Sequence, residues 1–239
     1  IYPTRESYLQ AFNEFVGQSG RTILWLEDAE KLGLDAEPGI VPLDQDDVSI
    51  DRELILPGHV NRLDAWLVMR AFYELMDEES GRDLTAIMNK FPGLSRRFEK
   101  IANNIYSDYA HTPPKIRGAL QLAREVAGDN VVVVYEGLHN TRQHFIKDQL
   151  ADLFNEVKHL YIVPSYLARE DKNLELLTPD KLLDLLSNLA GGHSEPATLD
   201  DDLATRLARH AEQGDLVLCL SAGGGGSLDE WLRRKFAKN

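Results

Sequence analysis

The chain has 239 residues, 43% hydrophobic and 27% charged, a composition of folded globular proteins that excludes disordered and collagen-like classes. Its formal net charge of −13 argues against a nucleic-acid backbone or an anionic membrane as partner. No apolar run approaches the roughly 20 residues needed to span a bilayer, and no charged-then-apolar leader is seen. Tyr8, Ala11, Phe12 and Phe15 recur at helical spacing behind Thr4, a capping residue, with Gly17 near the stop. Thr22–Leu26 reads as a short strand. The acidic stretch Asp35 to Asp51 reads as solvated loop or edge structure. Glu53–Leu56 reads as a strand closed by Pro57–Gly58, Val60–Met76 as a long helix, and Asp83–Lys90 as another.

At Pro92–Gly93 the composition shifts. Residues 1–93 hold 8 Lys+Arg against 18 Asp+Glu, a net of −10, while residues 94–239 hold 18 against 21, a net of −3. A breaker pair at that shift predicts a domain boundary, giving 1–93 and 94–239. The second part alternates. Arg97–Ile101 and Asn104–Asp108 are predicted strands, and Pro113–Val126 a helix with proline in its first turn. Asn130–Tyr135 contains four consecutive valines, the pattern of a strand buried on both faces. Helix Thr141–Phe154, strand His159–Val163, helices Pro179–Leu189 and Asp200–Ala211, strand Asp215–Leu220 and helix Leu228–Phe236 follow. The fold class is α/β with a mostly parallel, Rossmann-like sheet in the second domain. Ligands bind such sheets beyond the carboxyl ends of the strands. Asp108–His111, Glu136–Arg142 and Ser221–Gly226 all follow strands at that edge.

The one cysteine, Cys219, excludes an internal disulfide and fits a reducing cytoplasm. In the run DLVLCLS it reads as a buried strand thiol. Asp108, Tyr109 and His111 stand just before a helix start, where exposed amides favour an anion, and His111 there is either a donor to phosphate or carboxylate or a solvent-facing side chain. Arg96–Arg97 is either a forked phosphate clamp or a surface ion pair. SAGGGGS (Ser221–Ser227) lacks the ending of a P-loop and is a flexible rim loop or a linker. Asn61 and Asp64 share a helix face and either read a base or ribose edge or are ordinary first-turn polar residues. His139 and Arg142, near a helix start, are weaker candidates for a substrate carboxylate. The histidines show no metal-ligand spacing, so no metal site is assigned within the chain.

Taken together, these residues resemble the C-terminal part of the Mur ligase family, the ATP-dependent amino-acid ligases of peptidoglycan precursor synthesis. LPGHVNRLDA (Leu56–Ala65), RRFE (Arg96–Glu99) and SDYAHTP (Ser107–Pro113) resemble three of its motifs. DLVLCLSAGGGG resembles the closing strand and turn of the branch that adds L-alanine to UDP-N-acetylmuramate. The resemblance implies that 1–93 is the remnant of an α/β ATPase central domain without its phosphate loop, and that 94–239 is the C-terminal domain. It implies ATP and Mg2+ as cofactors, with the main Mg2+ ligands upstream. The implied substrates are UDP-N-acetylmuramate and a small amino acid, joined in the cytoplasm through an acyl phosphate. It places Asn61, Asp64, Asp108 and Tyr109 near nucleotide, makes Arg96, Arg97 and His111 catalytic, and leaves His139 and Arg142 for the amino acid. The chain opens at Ile1 without Met, so it reads as a fragment, inactive alone. Four departures stand against the family pattern: the phosphate loop and sugar-nucleotide domain are absent; Val60 and Asp64 replace the usual residues; and YEGLHNTRQ (Tyr135–Gln143) departs from the alanine-adding pattern. Its Glu136 and Asn140–Thr141 resemble instead the branch that recycles murein tripeptide. A diverged, non-catalytic nucleotide- or partner-binding module is the reading from outside the enzymes.

Overall fold

The computed structural model describes residues 2–76, 83–167, 170–187, 193–223 and 225–237. The chain divides into two compact units, Ile1–Phe91 and Pro92–Asn239.

In the first unit, α1 (Arg5–Val16) begins at Thr4, whose hydroxyl accepts from Ser7 N–H while the Ser7 hydroxyl reaches back to the Thr4 backbone, closing both orphan ends of the first turn. Its aromatic face is not a core face. Tyr8, Phe12 and Phe15 are exposed and only Val16 is buried. The aromatic rings instead pack on one another, Tyr2 on Tyr8 and Tyr8 on Phe12, at 5.5 and 4.9 Å. Strand β1 (Thr22–Trp25), helix α2 (Leu26–Leu32) and strand β2 (Ile40–Leu43) follow, with β1 and β2 parallel. The acidic stretch, expected as solvated loop or edge structure, holds the edge strand β2 and also an unexpected helix, α3 (Val48–Glu53). Its aspartates mark helix starts, since Asp47 accepts from Ser49 N–H and caps α3. The strand expected at Glu53–Leu56 does not form. Instead Leu54 and Leu56 enter a core with Ile50, Ala65, Met69 and Leu84, beneath α4 (His59–Leu75) and α5 (Leu84–Met88).

The second unit is built on a six-stranded sheet of order β3-β4-β8-β5-β6-β7, from β3 (Glu99–Ala102), β4 (Ile105–Asp108), β5 (Val131–Glu136), β6 (His159–Val163), β7 (Ser194–Pro196) and β8 (Leu216–Leu220). Only β3–β4 is antiparallel; β4–β8, β8–β5, β5–β6 and β6–β7 are parallel. Residues 131–136 and 216–220 are buried throughout. Each such Val or Leu contributes roughly 1.5–3 kcal/mol by leaving water. One face is covered by α6 (Pro113–Ala127) and by the segment carrying Leu150, Phe154 and Leu182. The other is covered by α9 (Asp201–Glu212) and α10 (Leu228–Phe236).

Two long helices of the expectation are cut short. The first is α7 (Asn140–Ile146), followed by a 3-10 turn (Lys147–Gln149) and further turns, and the second is α8 (Pro179–Leu183), whose expected continuation to Leu189 runs partly outside the described residues. In the first case the turns still bring Leu150 and Phe154 onto the sheet. The strand expected to start at Arg97 starts at Glu99, because Arg96 and Phe98 take positive φ, 59° and 49°, which ends extended pairing.

Candidate functional site

Strand order brings the sequence motifs to one edge. β8 lies between β4 and β5, so the loop 221–227 emerges between loops 109–112 and 137–139. The chain leaves β5 toward one face of the sheet and leaves β8, through α10, toward the other. This is a topological switch point, where neighbouring loops part and leave a crevice.

RRFE and DYAHTP form a single unit there. Asp108, 8% exposed, accepts from Phe98 N–H at 2.8 Å and from Ala110 N–H at 2.7 Å. Tyr109 N–H donates to Arg96 O at 2.9 Å. These bonds hold the left-handed residues Arg96 and Phe98, each of which costs of order 1–3 kcal/mol. Burial raises the Asp108 pKa, opposed by the two amides and by Arg97. Arg96 and Arg97 both lie over the Tyr109 ring, 4.7 and 5.9 Å from its centre. They differ in partners: Arg96 Nε stands 3.6 Å from Asp229, whereas Arg97 has no carboxylate within 4 Å among the described residues. Behind the turn, Arg233 donates to both Glu99 oxygens at 3.2 and 2.7 Å.

His111 Nδ1 is 2.7 Å from Tyr109 O. A carbonyl only accepts, so Nδ1 carries the proton and the neutral ring offers Nε2 as an acceptor. Burial first, then the charges of Lys115, Arg97 and Arg142, hold its pKa below the usual histidine value. The expected donor to phosphate is therefore an acceptor when neutral, standing among cations that supply the attraction for an anion.

The β5–β8 side has the opposite character. Glu136, 2% exposed, ends β5. Its Oε2 accepts from the Ser221 hydroxyl and its Oε1 from Leu228 N–H at 3.2 Å. Burial, with Asp229 adding to it, pushes the Glu136 carboxyl up to about 7, against the two hydrogen bonds and Arg96. Asp229 itself accepts from the buried Ser107 hydroxyl at 2.6 Å and from Arg233 Nε at 3.1 Å. Gly223 closes over Arg96: its φ of +76° disfavours a side chain, and a Cβ there would meet Arg96 Nη2 at 2.3 Å and displace the guanidinium.

The α7 pair is placed less simply. His139 Nδ1 is 3.0 Å from Tyr166 O. Thr141 donates to Glu170 through its N–H and its hydroxyl, at 2.8 and 3.0 Å. An internal carboxylate thus meets the start of α7, while Arg142 adds charge near His111. Asn140 is turned to the chain 175–177, donating to Glu175 O and accepting from Leu177 N–H. In the first unit, Asn61 Nδ2 donates to Pro57 O at 2.7 Å and so caps the turn into α4, and Asp64 lies one turn further along. Among the described residues no three His, Cys, Asp or Glu side chains converge on one point. No step below runs through Mg2+.

The site contains residues that the motifs did not single out as site residues. Glu136 was named in YEGLHNTRQ only for its likeness to the tripeptide-recycling branch. Asp229 and Arg233 pair locally at i,i+4 on α10, but their bonds to Ser107 and Glu99, like that of Glu170 to Thr141, span more than 25 residues and carried no local signal.

The family model described as "Mur ligase, glutamate ligase domain" matches residues 96–223. The chain is 30% identical over 185 residues to the UDP-N-acetylmuramate–L-alanine ligase of Brucella anthropi, covering 76% of this chain and 38% of that protein. It is 31% identical over 184 residues to the enzyme of the same name from Maricaulis maris, covering 74% and 38%. It thus spans less than half the length of these relatives. Among solved structures, the UDP-N-acetylmuramate-alanine ligase of Thermotoga maritima shares the fold with a TM-score of 0.61 at 20% identity, over 97% of this chain and 54% of that one. A Helicobacter pylori folylpolyglutamate synthetase aligns with a TM-score of 0.50 at 16% identity, over 90% and 52%. With its two arginine and tyrosine motifs joined at the switch point and more than half its length matched, the chain belongs to the Mur ligase family.

Proposed function

We propose that the protein carrying this chain is an ATP-dependent ligase that joins L-alanine to the carboxylate of UDP-N-acetylmuramate through an acyl phosphate, in the cytoplasm. The observation that carries this reading is the joined unit of Arg96, Arg97, Tyr109 and His111, with its cations gathered at the switch point. The names of the curated relatives support the substrates. Residues 94–239 are the C-terminal domain, and 1–93 belong to the ATP-binding side, where Asn61 and Asp64 face adenine. Arg97, without a carboxylate partner among the described residues, is the arginine that meets the transferring phosphoryl group or the acyl phosphate. Arg96 is held back by Asp229 and Tyr109 and positions the turn. Asp108 holds the turn and Tyr109 presents its ring to the nucleotide, while Arg142 and His139 flank the amino-acid carboxylate.

A second reading rests on the exit of β5. There Leu138, His139 and Asn140 replace the alanine-adding pattern, and Asn140 is committed to the chain 175–177. That departure suits a larger amine, the murein tripeptide. The complete protein, with ATP and UDP-N-acetylmuramate, is given L-alanine or the tripeptide, and phosphate release is followed. Release with L-alanine supports the first reading and release with tripeptide alone the second. Release with neither overturns both in favour of a non-catalytic module.

A further inference from the structure

The switch-point rim is divided by charge. Among the described residues the charges that act most on His111 are cations: Lys115, Arg97 and Arg142. Glu136 instead stands with Asp229, and Arg96 is the cation that acts most on it among the described residues. Glu136 also lines a cavity of about 310 Å³ with Ser165, Tyr166, Leu167, Leu199 and Gly226, and this cavity opens at the carboxyl edge of β5 and β6. Next to Glu136 in the chain, a Cβ on Gly137 would lie 2.7 Å from Ser165 Oγ and 2.9 Å from Gln143 Oε1, so glycine lets this backbone approach Ser165 closely. A zwitterion laid along the rim has its carboxylate drawn to the cations and its ammonium to the acid.

We infer that Glu136 is the proton acceptor for the amine substrate, receiving its ammonium group in the cavity beside Ser165 and Tyr166. This rests on the ligase reading above. The Glu136 carboxylate takes one proton from the ammonium, leaving a neutral amine and a neutral carboxyl. The amine nitrogen attacks the acyl phosphate carbon, the C–N bond forms, and the C–O bond to phosphate breaks. Of the two protons left on nitrogen, one stays on the amide and one departs with the phosphate as hydrogen phosphate. Glu136 then returns its proton to solvent. The hydroxyl of Ser221 and the Leu228 N–H hold the carboxyl in place through both states. Its pKa of about 7 matches that of a base working near neutrality. Charged groups facing it are Asp229 on α10 and Arg96 on the turn before β3.

The test uses the complete protein with Glu136→Gln and two nucleophiles: the amino acid, an ammonium ion at neutral pH, and hydroxylamine, already unprotonated there. Loss of a general base costs on the order of 10²–10⁴-fold. The variant is expected to lose at least about 100-fold in kcat/KM for the amino acid while making hydroxamate at near wild-type rate. The acid limb of the wild-type profile near pH 7 should vanish with it. Equal loss with both nucleophiles, or no loss with the amino acid, overturns the assignment. If the wild type yields neither amide nor hydroxamate, the ligase reading itself falls. Hydroxamate formation also reports that the variant is folded.

Discussion

Replacing Glu99 with Gln tests whether charge holds the Arg96–Glu99 turn in place. The Glu99 carboxylate takes two bonds from Arg233, a third from Arg96 N–H at 2.7 Å and a fourth from the Ser95 hydroxyl at 2.9 Å. Arg233 above all holds its pKa down at about 2, against an ordinary 4.5. That shift corresponds to roughly 3 kcal/mol of stability at neutral pH. The side chain is 28% exposed, and screening by water trims the figure to about 2 kcal/mol. A depressed carboxyl stabilises fully above its unfolded pKa. Its contribution is lost as pH falls from about 4.5 to about 2. Urea unfolding at pH 7 and pH 3 would measure this, with Trp25→Phe and Trp66→Phe installed so that buried Trp231 alone reports on the second unit. Glu99→Gln is expected to lose about 2 kcal/mol at pH 7, and less than half of that at pH 3. An equal loss at both pH values would refute the charge argument and leave only the shape of the side chain.

Glu136 should act with the opposite sign. Its folded pKa is raised from 4.5 to about 7, so it favours the fold below about pH 4.5 and loses roughly 3 kcal/mol of that support as pH rises through 7. Thermal midpoints of Glu136→Gln should lack this decline between pH 4.5 and 8, and curves parallel to wild type would exclude it. Gly223→Ala places a methyl group against Arg96 Nη2 in a left-handed backbone and is expected to cost about 1–3 kcal/mol by urea unfolding. An unchanged midpoint would show that the loop does not lie on Arg96. The Cys219 thiol is fully buried and its pKa raised by that burial, so a thiol reagent should label it only on unfolding, and rapid labelling of native protein would contradict the buried position of β8.

How much of this was legible in the sequence depended on how local each signal was. The valine run of β5 and the prolines opening α6 each announce an element within a few residues. The acidic stretch misled because aspartates that cap a helix look the same as aspartates in a loop; Asp47 and the four-residue β2 both hid there. β7 went unread because it is three residues long and ends in proline. In the site, Arg96, Arg97, Tyr109 and His111 could be named from their motifs, yet no spacing rule says that Asp108 bonds Phe98 N–H or that Tyr109 bonds Arg96 O. Those bonds depend on the antiparallel turn between β3 and β4. Glu170, arriving at α7 from 29 residues away, depends on a loop that has no pattern at all.

The position of β8 decides the chemistry of the rim. Were β8 at an edge of the sheet, β4 and β5 would be neighbours, and Glu136 would face the DYAHTP loop and its cations directly. Such a carboxylate would be neutralised by arginine and held well below its ordinary pKa, as Glu99 is. Because β8 intervenes, its loop and α10 insert Ser221 and Asp229 between the two. Asp229 draws Arg96 to itself at 3.6 Å and adds negative charge beside Glu136. One late stretch of chain thus keeps the acid and the cations apart, the separation that the proposed proton transfer to Glu136 requires.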